Sequence, residues 1–172
     1  MDQIRSHFDS IVQMSDHDWE FFSSRLIRSE YKKRTTLIAV GEVENHLNFI
    51  ESGSARMFIP KEENDLTFSF SFTGQFLSAY DSFITRSPSY YEVETMTDTV
   101  LWSITHDALQ EVYEHTECGQ LIGRKTAENL FLLKKRREQS LLNESAEERY
   151  LKLFTEPVSY THLTLPTNDV VG

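Results

Sequence analysis

The chain has 172 residues, 39% of them hydrophobic and 12% aromatic, so it is long enough for one domain with a packed core and is not a disordered chain. Its formal net charge of −10 excludes nucleic-acid binding by bulk charge, and its one cysteine, Cys118, excludes an internal disulfide framework. The N-terminus lacks the apolar core of a signal peptide, and no stretch reaches the about 20 apolar residues of a membrane span, which predicts a cytoplasmic protein without membrane contact.

Residues 1–28 predict two N-terminal helices. Apolar residues at positions 4, 8, 11 and 12 recur at helical spacing. Ser15 is placed to cap the second helix. The apolar side of that helix is predicted to consist of Trp19, Phe22, Leu26 and Ile27.

Residues 29–116 have the pattern of a β domain. Short apolar runs are separated by turn residues, among them Gly41, Gly53 and Gly74. The segment Leu66–Phe72 alternates apolar and small polar residues, as a half-buried strand does. Further strands are predicted at 36–40, 47–50, 55–59, 91–94 and 100–104. Short strands at about ten-residue spacing favour a sandwich or barrel.

The helical period returns in a short helix at 107–113 and a long one at 117–142. Residues 130–133 are all apolar, so one turn has to be buried on two sides. A second copy of the chain accounts for the additional side; a helix wedged between two domains of one chain is the alternative. Leu130→Asp is predicted to convert the dimer to a monomer, because it would bury an unpaired charge. The predicted homodimer interface consists of Leu121, Ile122, Ala127, Leu130, Leu133 and Leu141.

The long helix is predicted to break at 143–145. Ser145 and Glu148 have the spacing of a capping box that starts a further helix over 146–155. That helix groups Tyr150, Leu151 and Phe154. Residues 157–172 are Thr-rich and nearly uncharged, and we interpret them as a non-native, frame-shifted end; a natural disordered tail is the alternative.

Four motifs in a fixed order connect this pattern with a known family. They are Gly41-Glu42, Phe49-Ile50 with Gly53, Gly74-Gln75-Phe76, and Glu147-Glu148-Arg149-Tyr150-Leu151. The chain resembles the Crp/Fnr family of transcription regulators over about residues 10–156, and its Phe-Ser-Phe-Ser-Phe strand resembles the Bacteroidetes-type branch. The resemblance implies an α+β fold, in which N-terminal helices, a cyclic nucleotide-binding-like double-stranded β-helix jelly roll and a long C-terminal dimerisation helix precede a winged helix-turn-helix.

The resemblance implies an effector cassette in the segment that follows the turn Gly74-Gln75-Phe76 and ends at Tyr91. This cassette departs from that of the family's cyclic AMP-binding members. The place of their ribose-binding glutamate is taken by Ala79, and the place of their phosphate-binding arginine falls near Pro88 or Ser89. We therefore expect an unknown small-molecule effector other than cyclic AMP, or a vestigial pocket; ordinary loop polarity is the alternative interpretation. The predicted lining is Phe76, Ser78, Tyr80, Asp81, Arg86 and Tyr91.

The output part also departs from the family. Residues 143–156 resemble the start of a DNA-binding domain, but no recognition helix is predicted after them, so DNA binding is expected only if a helix-turn-helix is restored. The basic run at 134–137 splits between helix faces and is interpreted as solvated surface. The competing hypothesis is a stand-alone effector-binding or protein-interaction module.

Enzymatic and cofactor chemistry finds no support in the sequence. A cupin metal centre needs two or three histidines inside the roll, and residues 30–104 contain only His46. Cys118 alone cannot hold an iron–sulfur cluster, and neither it nor His46 lies in a haem-ligating motif. We expect no catalytic residue, no metal and no cofactor.

Overall fold

The computed structural model describes residues 1–145, 147–148 and 151. The helices and strands of this part are, in chain order, α1 (Asp2–Asp9), α2 (Asp16–Ser23), β1 (Ile27–Tyr31), β2 (Thr36–Ile38), β3 (His46–Ser52), β4 (Ser54–Ile59), β5 (Leu66–Phe72), β6 (Phe76–Leu77), α3 (Tyr80–Thr85), β7 (Glu92–Thr95), β8 (Thr99–Thr105), α4 (His106–His115) and α5 (Gly119–Asn143). None of these helices is long and apolar enough to cross a membrane.

Two four-stranded sheets form the β domain. One has the strand order β1-β8-β3-β6 and the other β2-β7-β4-β5, with every neighbouring pair antiparallel. Strands distant in sequence therefore become neighbours, as in a jelly roll. N-terminal helices precede this roll and the long helix α5 follows it, which confirms the predicted fold class.

The molecule has two apolar cores. The roll interior contains Ile38, Ile50, Ala55, Leu77, Ala79, Tyr91, Val93 and Leu101. The second core lies between the sheet β1-β8-β3-β6 and the helices, and contains Ile4, Phe8, Met14, Phe22, Phe49, Phe83, Ile104, Leu109, Val112, Cys118 and Ile122. Successive residues of a strand point to opposite faces, so β3 contributes Phe49 to one core and Ile50 to the other.

The strand β5 has the predicted bounds, and its serines face the roll interior. Ser71 pairs with Ala55, which belongs to the interior core, and Ser69 pairs with Met57, which packs on that core. Cross-strand partners share a face, so Phe70 points outward with its partner Arg56.

The structure corrects several sequence predictions. Ile27 does not continue the second helix but begins β1, where it pairs with Ser103. The short elements β6 and α3 were not predicted. The long helix is confirmed, and it ends as predicted, with Ser145 Oγ accepting the Glu148 N–H at 3.2 Å and Glu148 Oε2 accepting the Ser145 N–H at 2.8 Å. The remainder of the predicted helix over 146–155 and the tail 157–172 lie outside the described residues.

The start of α5 is fixed by the N-terminal helices. The buried carboxylate of Asp18 in α2 accepts the backbone N–H of Cys118, directly before α5, at 3.2 Å. A carboxylate at a helix N-terminus satisfies a free N–H and interacts favourably with the helix dipole. This bond joins residues 100 positions apart and sets the direction in which α5 leaves the core.

Two turn glycines provide a test of how closely the turn between β3 and β4 approaches the start of β8. Gly53 and Gly74 both have positive φ, +101° and +85°. A Cβ at Gly53 would lie 2.5 Å from Thr99 Oγ1 and 2.7 Å from the Asp98 carbonyl, whereas a Cβ at Gly74 meets nothing within 4 Å.

We expect Gly74→Ala to cost about 1–2 kcal/mol of unfolding free energy from φ alone. Gly53→Ala should cost about 1–3 kcal/mol more because of overpacking. Urea unfolding measures both, and equal losses would contradict the close approach.

Candidate effector site

The short helix α3 lies between β6 and β7, where the sequence predicts an effector cassette. The helix ends at Arg86, whose φ of +57° is left-handed, and Pro88 follows shortly after. The residue before α3 is Ala79, which is buried in the roll interior. The cassette therefore places one end of α3 against the interior of the roll.

A carboxylate from another loop occupies the N-terminal end of α3. Glu44 is 5% exposed, and its Oε2 accepts the Ala79 N–H at 3.3 Å while its Oε1 accepts the His46 N–H at 2.9 Å. Burial raises the pKa of Glu44, although these backbone N–H bonds oppose the increase. The loop before β3 is thus bonded to the entry of α3, close to the position where cyclic AMP-binding relatives are expected to carry their glutamate.

Two buried serines close the cassette from within, Ser82 through its side chain and Ser89 through its backbone. Ser82 Oγ donates to the Ser87 carbonyl at 2.5 Å and accepts the Glu44 N–H at 3.0 Å. Ser89 donates its N–H to the Glu42 carbonyl, and its own carbonyl accepts the Gly41 N–H, each at 2.8 Å. The cassette is therefore bonded on both sides to the segment 41–44.

Arg86 does not point into the roll. It is exposed, and its guanidinium donates to the Glu44 carbonyl at 2.7 Å and to Asn45 Oδ1 at 2.9 Å. Both partners belong to the loop before β3. The cation of the cassette is thus used to fix that loop and is not directed at an interior anion.

Tyr91 occupies the roll interior beside α3. It is 6% exposed, its hydroxyl donates to Asp81 Oδ1 at 2.6 Å, and its ring meets that of Phe68 edge-on at 5.0 Å. Burial, and next the bond to Asp81, raises the pKa of Tyr91, so it remains a neutral donor in any physiological buffer. The space beside α3 in the roll interior is therefore filled by the Tyr91 side chain.

The six predicted lining residues do not form one pocket. Asp81 and Tyr91 are brought together, and Ser78 is buried with its Oγ bonded to the His46 carbonyl at 3.0 Å. Phe76 and Tyr80 instead pack on the core between sheet and helices, so these two assignments to the pocket are corrected. Phe76 in β6 and Tyr80 in α3 point towards the helices and not into the roll interior.

Sequence reasoning missed Glu44 and Ser82. An acidic residue in a glycine-containing loop normally indicates solvent exposure, and nothing in the sequence marks Glu44 as buried. Its burial follows from the N–H groups that surround it, which are contributed by residues as distant as Ala79.

A cleft of about 90 Å³ opens on the sheet β1-β8-β3-β6 and shares Glu44 with the surroundings of α3. Two polar groups of its lining bond to each other, since Ser103 Oγ donates to Asn48 Oδ1 at 2.6 Å. Its lining contains none of the predicted pocket residues and consists of Ile27, Ser29, Tyr31, Leu37, Glu44, His46, Asn48, Leu101 and Ser103.

The raised pKa of Glu44 predicts a pH-dependent stability difference. The folded protein binds a proton at Glu44 more tightly than the unfolded chain, so this residue's contribution falls as pH rises above the unfolded value of about 4.3. Glu44→Gln has no such titration. The unfolding free energy of the wild type minus that of Glu44→Gln should therefore decrease from pH 4.5 to pH 7.5.

The exposed neighbour Glu42→Gln serves as the control in these urea titrations, because its carboxylate lies at the surface. A difference between wild type and Glu44→Gln that grows with pH would contradict the assignment.

The fold is similar to that of several solved structures, although no curated protein sequence is found to match the chain. Among solved structures, the fold is similar to that of the c-di-GMP responsive global regulator CLP of Xanthomonas campestris, with 20% identity, a TM-score of 0.62, and coverage of 83% of this chain and 74% of that one. It is also similar to the Thermus thermophilus catabolite activator protein, with 18% identity, a TM-score of 0.63, and coverage of 86% and 71%.

The sensor domain of the transcriptional regulator DNR from Pseudomonas aeruginosa is a third similar structure, with 11% identity, a TM-score of 0.61, and coverage of 83% of this chain and 91% of that one. These likenesses establish the fold. Residues 28–116, more than half of the chain, match the family profile of the cyclic nucleotide-binding domain. The match covers the roll, and the chain belongs to the cyclic nucleotide-binding domain proteins.

Proposed function

We propose that the chain is the sensor and dimerisation part of a Crp/Fnr-like transcription regulator of the Bacteroidetes type, whose small-molecule effector is not cyclic AMP. The observation that carries this proposal is the self-bonded cassette. Asp81 accepts the Tyr91 hydroxyl, and Arg86 is bonded to the loop before β3. The similar regulators among solved structures support the assignment to transcriptional control.

The case against cyclic AMP rests on charge. A buried cyclic phosphate needs a cation beside it, since its desolvation is otherwise uncompensated. Arg86 is the sole Lys or Arg between Gly74 and Tyr91, and its side chain faces the loop at the surface. The arginine's expected place is taken by the buried Ser89, whose Oγ donates to the Tyr91 carbonyl at 2.8 Å.

Isothermal titration calorimetry of the full chain with cyclic AMP tests the effector proposal. We expect no binding up to about 1 mM, which corresponds to less than about 4 kcal/mol of binding free energy. An affinity of 100 µM or tighter would contradict the proposal. Arg86→Met provides the control, because weak binding through a surface cation would disappear in this variant, whereas interior binding would persist.

The proposed dimer forms through α5. The less exposed side of α5 carries Ile122, Thr126, Leu130, Leu133, Arg137 and Ser140. Ile122 is 7% exposed and belongs to the chain's own core, so we no longer include it in the interface. Leu130 and Leu133 are half-buried, while Leu121, Ala127 and Leu141 are exposed.

An exposed stripe follows the spacing of a helix pair. Its apolar members are Ala127, Phe131 and Leu141, which share a 4-3-4-3 series with the charged residues Lys134 and Glu138. Such a series keeps one seam directed at a second helix. Phe131 is 68% exposed, more than a large aromatic side chain on a monomer surface normally is. A second copy of the chain would cover this stripe.

Phe131→Asp tests the dimer without disturbing the monomer core. The largest apolar position of the stripe would then carry an additional carboxylate that has to be desolvated, and we expect sedimentation velocity to change from dimer to monomer. Leu132→Asp is the matched control, because Leu132 is also exposed, at 53%, but lies outside the series. Leu130→Asp is less informative, since Leu130 is half-buried in its own chain. A Phe131→Asp dimer would refute the interface.

We also propose that DNA reading lies outside residues 1–145. The basic run of α5 supports this, because Arg137 donates to the Phe68 carbonyl at 3.1 Å and Lys135 donates to Glu138 at 3.1 Å. The run therefore does not present four cations on one side. Fluorescence anisotropy of residues 1–145 with duplex DNA at low salt should show no binding, and a salt-dependent affinity would contradict this proposal.

A further inference from the structure

An extra residue in the edge strand β5 lies between the cassette and the long helix. Met57 pairs with Ser69, but the next residue, Phe58, pairs with Thr67, so Phe68 is inserted as a β-bulge. Bulges redirect a side chain and free a backbone group from the ladder. Because β5 is the outer strand of its sheet, no further strand of the described residues covers this position.

Both the carbonyl and the ring of Phe68 make contacts. Arg137 of α5 donates its Nη2–H to the Phe68 carbonyl at 3.1 Å, across 69 residues of sequence. The Phe68 ring packs edge-to-face on the Tyr91 ring, with 5.0 Å between centroids and an interplanar angle of 90°. The Tyr91 hydroxyl in turn donates to Asp81 of α3 at 2.6 Å. These contacts form a continuous series from α3 to α5.

We propose that Asp81, Tyr91, Phe68 and Arg137 couple the position of α3 to that of α5. The proposal deepens the proposed sensor function, since it names the residues through which an effector at the cassette would reach the dimer helix. Close-packed rings transmit displacement because no space exists to absorb it. A shift of α3 that moves Asp81 must either break its bond to Tyr91 or move the Tyr91 ring against Phe68, and with it the carbonyl that Arg137 contacts.

Hydrogen–deuterium exchange of the full chain tests the coupling without an effector. Tyr91→Phe keeps the buried ring but removes the donor to Asp81. We expect amide exchange to rise about three- to tenfold in α3 and also in residues 133–140 of α5, the range of coupling found in connected networks. Tyr90→Phe is the matched control, because Tyr90 is adjacent and 66% exposed, and it should leave both segments unchanged.

The Phe68→Leu background identifies the route. In that background, Tyr91→Phe should still raise exchange in α3 but should no longer affect residues 133–140. Coupling is reciprocal, so Arg137→Met should raise exchange in α3, whereas Arg136→Met, an exposed neighbour, should not.

Three results would overturn the proposal. They are unchanged α5 exchange in Tyr91→Phe, an α5 response that persists in the Phe68→Leu background, and a uniform rise that includes α1, which would indicate global destabilisation. The outcome is independent of the cyclic AMP titration and the Phe131→Asp sedimentation, so failure of the coupling and failure of the proposed function are distinguishable.

Discussion

The sheet β1-β8-β3-β6 has to bury both of its faces, and most of the structure depends on this constraint. On β3 and β8, Ile50 and Leu101 face the roll interior while Phe49 and Ile104 face the helices. An antiparallel sheet normally leaves one face to solvent. Here the second face is covered by α1, α2, α4 and the first turn of α5. The long helix is thereby anchored on the back of the sheet whose front lines the roll.

The roll also contains buried polar groups. Glu44, Asn48 and Ser82 are buried there, and each is hydrogen-bonded. A buried polar group without a partner costs about 1–3 kcal/mol, so these bonds remove a penalty more than they add stability. They also specify one arrangement of the cassette, because Glu44 accepts N–H groups from two different segments.

Periodicity was sufficient to predict a β sandwich or barrel and the long helix, whereas the jelly roll was an expectation from the family resemblance. The alternation in Leu66–Phe72 and the capping-box spacing of Ser145 and Glu148 are local signals, and both are present in the structure. The sequence did not reveal β1, because Leu26 and Ile27 extend the apolar spacing of α2 by one turn before the chain becomes a strand. Pairing with β8, about 70 residues away, decides that segment.

The candidate site was harder to predict for the same reason. Phe76 and Tyr80 were placed in the predicted lining, whereas both pack on the core between the sheet and the helices. The helix α3 was not predicted, so there was no basis for orienting its side chains. The burial of Glu44 depends on N–H groups of Ala79 and His46, which only the folded chain brings together. Hydrogen bonds between residues that are far apart in the chain produce no periodic pattern in the sequence.

The same bonds limit what an effector can be. Any ligand that displaces α3 from the loop before β3 has to break the bonds that Glu44 makes with Ala79 and Ser82. It must also break the bond of Tyr91 to Asp81 or move the Tyr91 ring. At about 1 kcal/mol of net stability for each bond, and more where a buried group is left unpaired, this amounts to several kcal/mol. A ligand shifts a conformational equilibrium only by its difference in affinity between the two states, and a complete shift takes about 5.5 kcal/mol. An effector that breaks the bond between Tyr91 and Asp81 must therefore itself offer a hydrogen-bonding group to Tyr91, because an apolar molecule would leave its buried hydroxyl without a partner.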